Sequence, residues 1–198
     1  GIVCWGYFAE ALTKTSDTFV TNANIFGKVY FPRLIIPLSI VLSSLVRLGI
    51  QLLLFCGFWL YYLLTDSRIQ PNWWGMLLLP LLILLMAILA LGLGIIFSSL
   101  TTKYRDLRFL LTFGIQLLMF ATTVVYPFSA TENKAAWMKT IVLANPFTSI
   151  IETFRFAFLG KGAFNWWYLG YTALVAVIIL IIGVFTFNKV EKSFMDTV

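Results

Sequence analysis

Between Arg68 and Lys103 the chain carries no charged residue, and from 76 to 100 almost every side chain is apolar. A helix crosses the hydrocarbon core of a bilayer with about 20 such residues, so this run reads as a membrane span. Pro80, Gly92 and Gly94 lie inside it, which membrane helices tolerate where neighbours restore the backbone bonding. Similar runs occupy 36–64, 109–126, which Pro127 is expected to end, and 166–188, which a polar tail follows, and 1–20 reads as one span or its end, interrupted by Glu10 and Lys14. Of the 198 residues, 61% are apolar and 11% charged, too little polar surface to coat a water-soluble globule. The expectation is an all-α, polytopic transmembrane helical bundle, a single domain over 1–198 with five spans visible. The chain opens at Gly1 inside an apolar segment, so a sixth span and an N-terminal part are expected to precede it.

The segment 128–165 departs from this pattern. It carries Glu132, Lys134, Lys139, Glu152, Arg155 and Lys161 around two moderately apolar pieces separated by Asn145-Pro146. Each piece is too short and too charged to cross alone. A re-entrant helical pair before the last span fits, surrounded by protein or a wet cavity because irregular backbone is not tolerated against lipid. Loop cations orient the chain. Lys14, Lys28, Arg33, Lys103, Arg105, Arg108, Lys189 and Lys192 fall on one side; Arg68, Lys134, Lys139, Arg155 and Lys161 are spread over longer loops on the other. The first group is expected in the cytoplasm, with the C-terminus there too and Gly1 outside. The net charge of +6 is therefore an orientation signal, and nucleic acid is not an expected partner.

The sequence has no histidine, which removes the usual proton shuttle and the commonest metal ligand. No spacing suggests a metal site or a catalytic triad, and none matches the phosphate-cradling G-x-x-x-x-G-K-[ST] loop. Cys4 and Cys56 read as small apolar side chains rather than a pair. No catalytic residue, metal or cofactor of its own is assigned. If the protein pumps, ATP and Mg act through a separate partner subunit. Arg47 lies near the middle of a span, where a charge usually faces a bundle interior or wet cavity. It either contacts a phosphate or sugar on a translocated substrate, or snorkels and pairs with Gln51 one turn on. Glu152 and Arg155, three residues apart, share a helix face; they form an intrahelical ion pair or line an exit path. Tyr104, Arg105 and Asp106 form a polar knot in a turn, either an interfacial anchor or a docking point. The Trp residues read chiefly as interface belts.

At 28–39, KVYFPRLIIPLS, the chain resembles the ABC-2 type permeases of polysaccharide exporters, which move O-antigen or teichoic-acid chains. Three further segments agree in order: LTTKYRDLRFLL at 100–111, NPFTSIIETFRFAFLGKG at 145–162 and FNKVEKSFMDTV at 187–198. Where the family often has Ser/Thr-Pro-Val-x-Tyr-Pro, this chain reads ATTVVYPFS, with Thr123 in place of the first proline and Tyr126-Pro127 retained. The resemblance implies a six-span permease in the bacterial inner membrane, acting as a homodimer with two ATPase subunits docked below and a lipid-linked polysaccharide passing between the copies. It implies coupling to the ATPase through Lys28, Tyr30, Phe31, Pro32, Arg33, Tyr104, Arg105 and Asp106. It implies a path or gate at Arg47, Tyr126, Asn145, Pro146, Glu152 and Arg155. The alternatives are an ABC-2 permease for a drug, lipid or other amphiphile, and a membrane-embedded transferase on lipid-linked sugars. The second lacks histidine and has few carboxylates to serve as acid or base.

Overall fold

A computed structural model describes the chain except residues 22–33, 66–69, 105, 132–135 and 196–198. Among the described residues all regular structure is helical: α1 (Ile2–Ser16), α2 (Thr18–Thr21), α3 (Ile35–Thr65), α4 (Trp73–Met76), α5 (Leu79–Lys103), α6 (Leu107–Ala121), α7 (Ala136–Ala144), α8 (Pro146–Leu159) and α9 (Trp166–Met195), with a 3-10 turn at Phe128–Thr131. Among the described residues three helices are long and apolar enough to cross a membrane, over Ile35–Thr65, Leu79–Thr102 and Trp166–Val190. Helices α1 and α6, at 15 residues each, are shorter than a full crossing.

Helix α5 is the central strut. It packs along α9 on one side and α1 on another, and α1 in turn lies against α3. Its buried residues Leu82, Leu85, Met86, Leu89 and Ala90 join Tyr7, Phe8, Ala11 and Leu12 of α1 in one core. Small residues set the spacing. A Cβ on Gly183 of α9 would stand 2.7 Å from the Gly92 carbonyl oxygen, and one on Gly92 would stand 2.9 Å from the Leu180 nitrogen. The two backbones therefore touch, the close approach that glycine permits between membrane helices. Gly94 serves α1 in the same way, since a Cβ there would meet the Thr15 side chain at 2.6 Å. The C-terminal end of α1 is then fastened to α5 by the Thr101 hydroxyl donating to the Ser16 carbonyl at 2.9 Å.

Most large apolar side chains of α3, α6 and α9 point outward, among them Leu53, Phe58, Leu64, Phe109, Phe113 and Phe185. Apolar exposure on this scale means lipid or a protein partner. Helix α8 is the opposite case. Phe147, Ile150, Ile151, Phe154, Ala157 and Phe158 are all buried, so this short helix is packed into the bundle against α9, α4 and α5.

The structure amends several expected boundaries. Pro80 stands in the first turn of α5 rather than inside the helix, where its missing N–H is no loss. The helix expected over 109–126 with Pro127 as its stop ends at Ala121, and Thr122 is extended. A Thr-Thr-Val-Val run follows, and β-branched side chains crowd the preceding helical turn. Helix α9 continues beyond 188 through a segment that reads as a polar tail.

Candidate functional site

The turn after α6 and both ends of α8 meet in one polar network. Asn145 caps α8: its Oδ1 accepts the Phe147 N–H at 3.0 Å, and its Nδ2 donates to the Thr122 hydroxyl at 2.7 Å. Pro146 occupies the first turn, the position that suits its fixed φ. The Pro146 carbonyl accepts from Thr172 of α9 at 2.9 Å, and the Tyr126 hydroxyl donates to the Phe120 carbonyl at 3.1 Å.

Glu152 and Arg155 lie deeper. Arg155 Nη1 is 2.8 Å from Glu152 Oε1 and also donates to the Tyr126 carbonyl at 2.9 Å, while Nη2 donates to the Val124 carbonyl at 3.1 Å. Glu152 Oε1 also accepts the Phe128 N–H at 3.2 Å, and Oε2 accepts the Ala163 N–H at 3.3 Å. The side chains are only 4% and 14% exposed. Carbonyls of the turn after α6 are thus taken up by the guanidinium, and N–H groups on either side of α7 and α8 by the carboxylate. Buried polar groups need such partners, and a planar fork of donors suits several acceptors at once.

The far end of α8 is closed from outside. Gly160 adopts φ 64°, the left-handed cap that glycine favours, and a Cβ there would run into the Gln70 carbonyl. The Ala157 carbonyl accepts the Asn72 N–H at 3.0 Å and the Phe158 carbonyl accepts the Trp59 indole N–H at 2.7 Å.

A second charged group joins α1 to α3. Arg47 Nη1 is 3.0 Å from Glu10 Oε2, and Lys14 Nζ is 2.7 Å from Glu10 Oε1. Arg47 thus pairs with Glu10 on another helix; Gln51, its expected partner one turn on, lies near Gly6 of α1. Asp17 and Arg108 make a further contact at 2.8 Å between the end of α1 and the first turn of α6. The partners Glu10, Lys14, Asp17 and Arg108 were not among the expected site residues. A signal was present in the spacing of Glu10, Lys14 and Asp17, which puts Glu10 and Lys14 on one face of α1 with Asp17 at its C-cap.

Of the expected coupling residues, Lys28, Tyr30, Phe31, Pro32, Arg33 and Arg105 lie outside the described residues. Tyr104 and Asp106 form the exposed turn between α5 and α6, with the Leu107 N–H donating to the Tyr104 carbonyl at 3.2 Å.

Residues 3–159 match the ABC-2 type transporter family. The chain belongs to that family. Two O-antigen export system permease proteins RfbA of Klebsiella pneumoniae are each 30% identical to it over 197 residues, covering 99% of this chain and 72% of the relative. A third RfbA, of Myxococcus xanthus, is 25% identical over 161 residues, 80% of this chain and 58% of the relative. The ABC-2 permease is accordingly a multi-pass membrane protein. Two of its charged groups stand out among the described residues: one organises the segments around α8, the other bridges α1 and α3.

Proposed function

We propose that this permease exports a lipid-linked polysaccharide, of the O-antigen, teichoic-acid or capsule-like class, across the bacterial inner membrane. The observation that carries this reading is the 30% identity to O-antigen export permeases along 99% of the chain. The permease works as a homodimer with two ATPase subunits bound on the cytoplasmic side, and these supply ATP and Mg. The C-terminus is cytoplasmic, and the polymer passes between the two copies. Residues 28–33 and the turn at Tyr104–Asp106 transmit ATP-driven closure. Helices α7 and α8 form a re-entrant outer gate whose shape is held by Asn145, Glu152 and Arg155, with Tyr126 and Pro146 at its hinges. Arg47 faces the path.

The burial of α8 among α4, α5 and α9 supports the gate reading, since a helix of 14 residues inside a membrane bundle needs protein around it. In the test, the permease and its ATPase are expressed in cells that make the lipid-linked polymer but lack their own exporter. Surface polymer should appear only when both are present, and the purified permease alone should hydrolyse no ATP. Polymer that stays inside with both subunits inserted and associated would refute the export reading.

A further inference from the structure

We infer that Arg47 and Lys14, bridged by Glu10, form an anion site for a phosphate group carried on an amphiphile. The inference rests on the export reading, because it assigns that site to the head of the exported lipid-linked molecule.

Two cations share one carboxylate here, Lys14 at 2.7 Å and Arg47 at 3.0 Å. One positive charge is left uncompensated within the group. The carboxylate is sheltered, with the Glu10 side chain 16% exposed, whereas those of Lys14 and Arg47 are 59% and 64% exposed. The excess charge therefore lies on the outward face.

Lys14 is two residues from the end of α1, so its ammonium can snorkel to the interface. Arg47 lies twelve residues into the 31-residue α3, about 18 Å from its start at 1.5 Å per residue. Its guanidinium shares the Glu10 carboxylate with the Lys14 ammonium, so the two cations lie side by side at the polar boundary of the membrane, where an anionic cover suits them.

The contact with Glu10 is made through a terminal nitrogen of Arg47, and a guanidinium offers five N–H donors in a planar fork. That fork suits the paired oxygens of a phosphate, in charge-assisted bonds that strengthen where water is scarce. Phosphate is also the anion that amphiphiles carry at the membrane surface. The arrangement makes Glu10 a competitor for the site: it holds both cations in place when the ligand is absent and yields them when it binds.

The test measures binding of dioleoyl phosphatidate to the purified permease in phosphatidylcholine nanodiscs, with inorganic phosphate as a second probe. Arg47→Gln should weaken phosphatidate binding about tenfold or more, and Lys14→Gln should weaken it less. Glu10→Gln should tighten it several-fold. Unchanged affinity in Arg47→Gln would overturn the site, and would be the result if a second copy covered the guanidinium. Loss of binding in Glu10→Gln would overturn the competitor role. Binding of inorganic phosphate alone would overturn the membrane-borne source. Should Arg47→Gln fail to insert, Lys14→Gln carries the same comparison. An export assay on the same variants separates the two readings. Full export by a phosphatidate-blind Arg47→Gln would remove the substrate role while leaving export intact. Absence of export in the wild type would refute the export reading and leave the binding result standing.

Discussion

Glu152 and Arg155 are three residues apart on α8, and that spacing was enough to expect them on one face. Their other partners were not legible, because the Val124 and Tyr126 carbonyls and the Phe128 and Ala163 N–H groups come from turns before and after the helix. The distinction changes what a mutation should do. An isolated ion pair survives exchange of its ends. Here Arg155→Glu would turn a carboxylate toward two carbonyls, and Glu152→Arg would turn a guanidinium toward two N–H groups. The double exchange should therefore fail to restore the wild type, and Glu152→Gln or Arg155→Gln alone should cost about 3–5 kcal/mol, as breaking a buried pair does. Thermal unfolding in detergent measures this; wild-type stability in the double exchange would reduce the network to a simple pair. Arg47 shows the same limit of sequence reading. A partner one turn away on the same helix can be named from spacing, but Glu10 lies 37 positions earlier and needs the packing of α1 on α3 to reach it.

Long apolar helices are the most legible elements. The run at 36–64 became α3 over Ile35–Thr65, and α9 begins at Trp166 as expected, because flanking polar residues mark those ends of the apolar runs. Ends set by local contacts were misread: proline was taken as the stop of α6, whereas the helix stops ahead of it at Ala121, where Thr122 turns extended and meets Asn145. Packing distance between helices was not legible at all, since a glycine in a span gives no sign of which neighbour it faces. The structure makes it testable. Gly92→Ala and Gly183→Ala should each destabilise the protein by about 1–3 kcal/mol through overpacking. Gly114→Ala, whose Cβ would meet nothing within 4 Å, should be neutral or slightly stabilising, since alanine is the better helix former by about 1 kcal/mol. Equal effects at Gly92 and Gly114 would remove the close α5–α9 contact from the account.

For the molecule as a whole, composition alone decided the class: 61% apolar residues against 11% charged leaves lipid as the solvent for most of the surface. Topology rests on a weaker signal, the distribution of loop cations. In a Cys56→Ala background, Lys161→Cys should react with a membrane-impermeant thiol reagent added to intact cells, and Tyr104→Cys should not, both positions being exposed in the fold. The reverse pattern would invert the orientation. The closing of α8 has a consequence for how such a chain is made. The Trp59 indole donates to the Phe158 carbonyl across 99 positions, and the Asn72 N–H donates to the Ala157 carbonyl. Neither bond can form until nearly all of the chain up to α9 has left the ribosome. The earlier helices therefore enter the bilayer before these acceptors exist, and the lock that joins them to α8 is set only once that helix has been made.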